Sequence, residues 1–302
     1  MITVRQMRYL DALALTRHFG KAAAMVHISQ PALSAQIAEM ERILGVKLVE
    51  RSRSGVFMTV DGEEILPEIR DILARVDLLE ARVKSGQGLL RGRLRLGIIP
   101  TVAPYLVPVL VPDIRAHYPE LTIELKEILT TACIEDLKHG KLDCAIVALP
   151  ADAPGIKSLP LFEDRFLIAG PEDENTVLLS PMTEDNVDVE RLLLLEEGHC
   201  LRDQALAVCG TSAGRRVANF GATSMATLLQ MVSHGMGITL IPEIAVHDER
   251  SRNRMRIVPF AEPQPSRTIG LIWRTSSLLK SRDFEALGAV VERAGNKLLS
   301  RN

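Results

Sequence analysis

The 302-residue sequence has little net charge, no long apolar run and few cysteines, and each shortage removes a class of protein. With 36 basic side chains against 38 acidic ones the formal net charge is −2. Nearly half the residues are hydrophobic and a quarter charged, the balance of an ordinary globular protein rather than a disordered or fibrous one. No stretch reaches the ~18 apolar residues of a membrane span. Arg5, Arg8 and Asp11 stand where a secretory signal would need its apolar core, so the expected compartment is the cytoplasm and no membrane partner is expected. The four cysteines, Cys133, Cys144, Cys200 and Cys209, form no Cys-x-x-Cys and no zinc-type spacing, so neither a metal nor a cofactor is expected. In a reducing cytoplasm they rest as thiols, each a small buried hydrophobe or a reactive group.

What is present is unevenly distributed. The length suits two or three domains. Residues 1–60 hold eight basic side chains against four acidic, leaving the remainder at −6. A basic head on an acidic body suits a protein whose head alone meets phosphate, since Lys and Arg contacts release condensed counterions.

Within residues 1–60 the apolar positions Met7, Leu10, Leu13 and Ala14 predict a first helix, and the alanines after Gly20 a short second one. Ser29-Gln30-Pro31 then reads as a helix start, with Ser29 as cap and proline in the first turn, where a missing N–H costs little. Leu33, Ile37, Met40 and Leu44 form one apolar stripe, and Gly45 ends the helix. The opposite face carries Pro31, Ser34, Ala35, Ala38 and Arg42. Its small residues permit entry into a major groove, while Gln30, Ser34 and Gln36 offer hydrogen bonds to bases or phosphates. The following VKLVERSRSGVFMT reads as a wing, with Arg51 and Arg53 near its tip for phosphate or the minor groove. For any single residue the plain alternative is a solvated side chain, and for Ser29 a cap.

Residues 61–93 form a linker. Ile65, Ile69, Ile72, Val76, Leu79 and Val83 alternate by four and three, a heptad seam that predicts pairing of two such helices, with Pro67 disturbing the first turns. A dimer would set two heads on half-sites about 34 Å or a multiple apart. The glycines of SGQGLLRG read as a hinge.

Residues 94–302 alternate strand and helix: LRLGII, a helix around LVPVLVPDIRAHY, TIELKEI, a helix near IEDLKHG, then CAIVAL. DRFLIAG, RLLLLEE, RVANF, ITLIPE and RTIGLIWR continue it, with helices at Met225–Ser233 and Asp283–Leu299. This order predicts βαβ units, a mainly parallel sheet and two lobes, with the last strand and helix rejoining the first lobe. The expected class is therefore α+β multidomain: a winged helix-turn-helix, a linker helix and a bilobal α/β sensor. Thr101, between a strand and a helix, faces a cleft or simply caps the helix, and Thr130 poses the same choice.

Cys200 follows a Gly198-His199 turn at the start of a helix containing Leu201–Val208. The helix N-terminus with a cation such as Arg202 or His199 favours thiolate, while Asp203 and burial among Leu192–Leu195 oppose it. Nine residues of regular helix put Cys209 roughly 13 Å away along the axis, beyond the ~7 Å between Cα atoms that a disulfide needs. Bonding would require unwinding. The residues alone favour two buried structural thiols.

FGKAAAMVHISQPALSAQIAEMERILGVKLVERS resembles the DNA-binding head of the LysR-type transcription regulators. The resemblance implies that Ser29, Gln30, Pro31, Ser34 and Gln36 lie on the recognition helix at the groove. Their sensor domains resemble two-lobed periplasmic solute-binding proteins. LEEGHCLRDQALAVC, GIIPTVAPYLVP, GKLDCAIVAL and SRTIGLIWR resemble the peroxide-sensing branch of the family and reverse the reading of the cysteines. They imply that Cys200 is oxidised by hydrogen peroxide to a sulfenic acid and that Cys209 resolves it as a disulfide. Thr101, Thr130, His199 and Asp203 would surround the peroxide, with Arg267 near the sulfur and Cys144 outside the redox pair. Thr131 stands where some relatives place a histidine.

Implied partners are a double-stranded DNA operator, hydrogen peroxide, RNA polymerase and further copies of the chain, paired through the linker and assembled as a tetramer controlling antioxidant genes. Such a regulator reacts stoichiometrically and is no enzyme. Two alternatives remain at this point: a regulator whose cleft takes a small organic effector, its cysteines structural, or a thiol peroxidase or solute-binding protein carrying an incidental helical head.

Overall fold

A computed structural model describes all residues except 53–54, 86–88, 173–177, 210–220, 253, 278, 280 and 302, and gives the backbone alone at 51, 52, 55, 78 and 80–85. The chain divides into two compact units, Met1–Gln87 together with Lys138–Lys141, and Gly88–Leu137 together with Leu142–Asn302.

The first unit opens with three helices, α1 (Val4–Thr16), α2 (Phe19–Met25) and α3 (Gln30–Leu44). Each start has a local cause. Thr3 and Gln6 exchange hydrogen bonds as a capping box on α1, the His18 ring accepts the amides of Gly20 and Lys21, and Ser29 Oγ accepts the Ala32 amide. Gly45, at φ +76°, closes α3 by donating its amide to the Glu41 carbonyl. The stripe read from the sequence is the buried face: Leu33, Ile37 and Met40 pack with Leu10, Leu13 and Ala22. Strands β1 (Val49–Ser52) and β2 (Gly55–Met58) form the antiparallel wing.

Helix α4 (Val60–Ser85) continues through Pro67. It does not keep the expected seam free. Ile69 is 1 % exposed and, with Leu66 and Leu73, belongs to the core of the head, where Arg70 also pairs with Asp11 at 2.7 Å. Positions 66, 69 and 73 form their own helical stripe, so the apolar face is broader than a heptad seam and this part of it is spent within the chain. Ile72 and Leu79 remain exposed.

The second unit begins with β3 (Gly92–Ile98), α5 (Ala103–His117), β4 (Leu121–Glu127), α6 (Thr130–Lys138) and β5 (Cys144–Leu149). Here the βαβ reading holds, with β3 parallel to both β4 and β5. Then comes β6 (Ile156–Pro171), followed by β7 (Leu194–Leu195), α7 (Cys200–Val208), β8 (Gly221–Ala222), α8 (Met225–Ser233), β9 (Thr239–Pro242), α9 (Glu243–Arg252) and β10 (Met255–Pro259). Strand β11 (Ser266–Arg274) and α10 (Ser281–Leu299) complete the chain.

The sheet order is β10-β6-β11-β5-β3-β4, with β9 also on β6. It is mixed rather than mainly parallel, because β11 runs antiparallel to β5 and β6, and β9 and β10 antiparallel to β6. A chain that leaves the first lobe along β6 and returns along β11 over the same crossing must run those strands in opposite senses. Residues 156–165 of β6 pair with β11, and 166–171 with β9 and β10, so one 16-residue strand serves both lobes. The return into the first lobe is as expected. Of RLLLLEE two residues form a strand, β7, parallel to β8; RVANF lies outside the described residues.

Candidate functional site

Cys200 is the first residue of α7 and Cys209 its C-cap. The turn that delivers Cys200 depends on Gly198, whose φ of +93° suits residues without a Cβ. A Cβ built on Gly198 would lie 3.1 Å from Leu129 Cδ1, which sets the Gly198-His199 turn against the start of α6. Arg202 bonds back to the Leu195 carbonyl at 2.9 Å, so the nearest arginine in sequence is engaged with the backbone beside β7.

The two cysteines sit in different surroundings. Cys200 is half-buried at the edge of the core, while Cys209 is 4 % exposed. Burial, reinforced by the charge of Glu184, pushes the Cys209 thiol up to about 12. Cys133 and Cys144 are both buried inside the first lobe, and burial raises both thiols. Partial exposure at a helix N-terminus distinguishes Cys200 from the other three, buried thiols.

Thr101 is buried but does not cap α5: the N-cap is Val102, and Thr101 Oγ1 accepts a 2.9 Å hydrogen bond from Arg267 Nη1. Arg267 in turn is bound to Asp164, its Nε and Nη2 donating to Oδ2 at 3.0 and 2.8 Å, with both side chains wholly buried. Burial raises the Asp164 carboxyl, against the pull of the guanidinium and the backbone donors.

Thr130 heads α6, and its buried Oγ1 has no hydrogen-bond partner among the described residues. His199 is 8 % exposed, caps α7 with no side-chain bond, and is held below its ordinary value by burial. Asp203 stands exposed on α7, and Thr131 is exposed on α6. Thr101 and Arg267 are therefore joined by a hydrogen bond, Gly198 and Leu129, the residues before His199 and Thr130, lie against each other, and Asp203 has no partner among the described residues.

Two contributors escaped sequence reasoning. Asp164 bonds a residue 103 positions away, and no local pattern announces it. Gln204, one helical turn beyond Cys200, has a buried Oε1 without a partner among the described residues. Buried polar atoms left open in this way are where a bound water or small polar molecule fits. No group of three or more His, Cys, Asp or Glu suited to a metal ion occurs among the described residues, and no described helix is long and apolar enough to cross a membrane.

On the head, Ser29, Gln30, Pro31 and Gln36 are exposed and Ser34 is partly so. Ser29 is engaged as the cap of α3, as its plain alternative required. Arg42 is tied to Glu39 by two hydrogen bonds of 2.8 and 2.6 Å. The residue that locks helix to wing is Glu41, counted in the sequence only as a charge: it is buried and accepts from Lys47 Nζ at 2.6 Å and from the Leu48 and Val49 amides at 3.0 and 3.2 Å. Arg51 lies on β1 with its side chain undescribed, and Arg53 is outside the described residues.

A helix-turn-helix head with a wing, a linker helix and a two-lobed α/β unit define a transcription regulator with a sensor domain. The chain belongs to the LysR family: residues 4–63 match the model of the bacterial regulatory helix-turn-helix proteins of that family, and residues 87–294 match the LysR substrate binding domain. It is 39 % identical over 290 residues to the DNA-binding transcriptional dual regulator OxyR of Escherichia coli, covering 96 % of this chain and 95 % of that one. Among solved structures it resembles full-length OxyR of Pseudomonas aeruginosa, a cysteine-to-aspartate variant, with TM-score 0.80 and 31 % identity over 97 % of this chain and 98 % of that one. It also resembles a cysteine-to-serine variant of Corynebacterium glutamicum OxyR with hydrogen peroxide bound, with TM-score 0.68 and 33 % identity over 100 % and 96 % of the two chains. Members of the family are DNA-binding regulators rather than enzymes.

Proposed function

We propose that this chain is a cytoplasmic transcription regulator switched by hydrogen peroxide through Cys200 and Cys209. The observation that carries the reading is the placement of an accessible cysteine and a buried one at the two ends of a single short helix, α7. Likeness to OxyR across nearly the whole chain supports it.

In the first step the Cys200 thiolate attacks one peroxide oxygen. The S–O bond forms as the O–O bond breaks, the electron pair leaves on the distal oxygen as hydroxide, and hydroxide takes up a proton to become water. Cys200 is now a sulfenic acid. In the second step the Cys209 thiol displaces that hydroxyl, giving a disulfide and a second water. Thr101, Thr130, His199 and Asp203 supply the polar wall of the peroxide pocket, with Arg267 acting near the sulfur.

Because the bond cannot form on an intact helix, oxidation becomes a change of shape. That change reorients paired heads on DNA, with Ser29, Gln30, Pro31, Ser34 and Gln36 at the major groove and Arg51 and Arg53 on the backbone or in the minor groove. The working assembly is a dimer through α4, doubled to a tetramer, that engages RNA polymerase at antioxidant genes.

The test is intact-mass and peptide analysis after about one equivalent of peroxide, alongside DNA binding, on the full chain and its Cys200→Ser and Cys209→Ser variants. The expected products are a Cys200–Cys209 disulfide in the parent, a sulfenic acid on Cys200 in Cys209→Ser, and neither in Cys200→Ser. An undiminished DNA response in Cys200→Ser, or a parent without the disulfide, would sink the reading and favour an organic effector in the cleft.

A further inference from the structure

We infer that Asp164 is a positioning residue for the reaction of Cys200, acting through Arg267 to make the Thr101 hydroxyl a hydrogen-bond donor toward the peroxide. The inference deepens the peroxide reading above and rests on it.

Asp164 and Arg267 lie directly opposite each other on β6 and β11, at the point where β6 passes from its first-lobe partner to its second-lobe partners. The two carboxylate oxygens have separate tasks. Oδ1 accepts the amide of Ile244 at the start of α9 at 3.0 Å, which fixes the carboxylate to the second lobe. Oδ2 accepts from Nε and Nη2, which fixes the guanidinium plane by one edge. The Phe166 ring lies 5.8 Å from the guanidinium carbon. With Nε held by Asp164 and Nη2 shared between Asp164 and the Thr101 carbonyl at 3.4 Å, Nη1 is directed at Thr101 Oγ1 at 2.9 Å.

A threonine hydroxyl has one hydrogen to give. Once its oxygen accepts from a cation, that hydrogen points away from the guanidinium and is polarised by it. Thr101 is thereby set as a donor rather than left to rotate.

Peroxide cleavage places new negative charge on the departing oxygen, and a fixed donor aimed there stabilises the transition state more than the ground state. A simple tie between β6 and β11 would need neither the third nitrogen nor an oxygen reserved for α9.

The experiment uses the full chain carrying Cys209→Ser, so that the sulfenic acid on Cys200 is trapped and counted by mass. Into it go Asp164→Asn, Arg267→Gln and the two together. For each, the second-order rate constant is measured with hydrogen peroxide and, separately, with iodoacetamide, whose iodide leaving group needs no hydrogen bond.

Asp164→Asn should slow the peroxide reaction by about 10- to 100-fold, below the loss seen when a direct oxyanion donor is removed, while alkylation changes by less than about 2-fold. In the Arg267→Gln background the Asp164 substitution should cost nothing further. Equal slowing of both reagents, an unchanged peroxide rate, or losses that multiply in the double variant would each overturn the inference.

Should Asp164→Asn not fold, the double variant removes the buried charges as a pair and carries the comparison with Arg267→Gln: equal peroxide rates support the inference and a slower double variant overturns it. A parent chain whose Cys200 reacts no faster than an ordinary thiol would sink the peroxide reading and this inference with it. A fast parent with an equally fast Asp164→Asn variant overturns the inference alone.

Discussion

Cys200 opens α7 and Cys209 caps its far end, the Cys209 amide donating to the Ala205 carbonyl at 3.0 Å. At about 1.5 Å of rise per residue the two Cα atoms stand roughly 13 Å apart, about twice the reach of a disulfide. The expected outcome of oxidation is therefore melting of α7. Hydrogen exchange on the peroxide-treated chain should show the amides of Ala205 to Cys209 exchanging many times faster than in the reduced chain. A disulfide formed with unchanged protection would contradict the helix as described.

How much of this was readable in advance depends on the range of the interaction. The bounds of α3 and α8 follow from neighbouring residues: Ser29 and Ser224 cap them, and Gly45 ends the first. Such signals are local and survive in sequence. The apolar run Leu192–Leu195 announced burial correctly, yet two of its residues form a strand, because apolar runs report desolvation and not a ladder. The Asp164–Arg267 pair depends on the register between two strands 103 positions apart, which composition and periodicity do not encode.

Acidity should act on stability from both sides. Burial pushes Cys209 and Cys133 up to about 12 from an ordinary 9.0, so their contribution is whole below pH 9 and is lost as pH rises from 9 through 12. Stability should fall steadily across that window. His199 is shifted the other way, below 6.5, so its contribution is present above 6.5 and is lost as pH falls toward the folded value. Thermal midpoints of the reduced chain should plateau between these limits. Cys209→Ser should flatten the alkaline limb and His199→Gln the acid limb; limbs unchanged by both variants would contradict the assignment.

Glu41 permits a test in which electrostatics and geometry predict opposite signs. Replacing it with alanine removes a negative charge from a DNA-facing unit, which by charge alone tightens binding. It also strands the Leu48 and Val49 amides, which Glu41 satisfies at 3.0 and 3.2 Å. Two such donors cost about 2–4 kcal/mol, and the wing loses its tie to α3. Glu41→Ala should lower the melting temperature and weaken operator binding by fluorescence anisotropy at every salt concentration. Tighter binding would show that the wing is held by other means.

Two stripes on one helix separate folding from assembly in α4. Ile69, 1 % exposed, is part of the head core, whereas Ile72 and Leu79 are 39 % and 64 % exposed. Exposed apolar residues seven positions apart lie on one helical face and suit pairing with a second α4. Ile69→Ala should cost about 2–4 kcal/mol of stability by leaving a cavity. Ile72→Asp with Leu79→Asp should leave the melting of the head within about 0.5 kcal/mol, as surface changes usually do. The same pair of substitutions buries a charge at a dimer seam, so sedimentation should show a shift toward smaller species, with operator affinity falling because two half-sites are no longer held together. An unchanged sedimentation profile would move the pairing surface off α4.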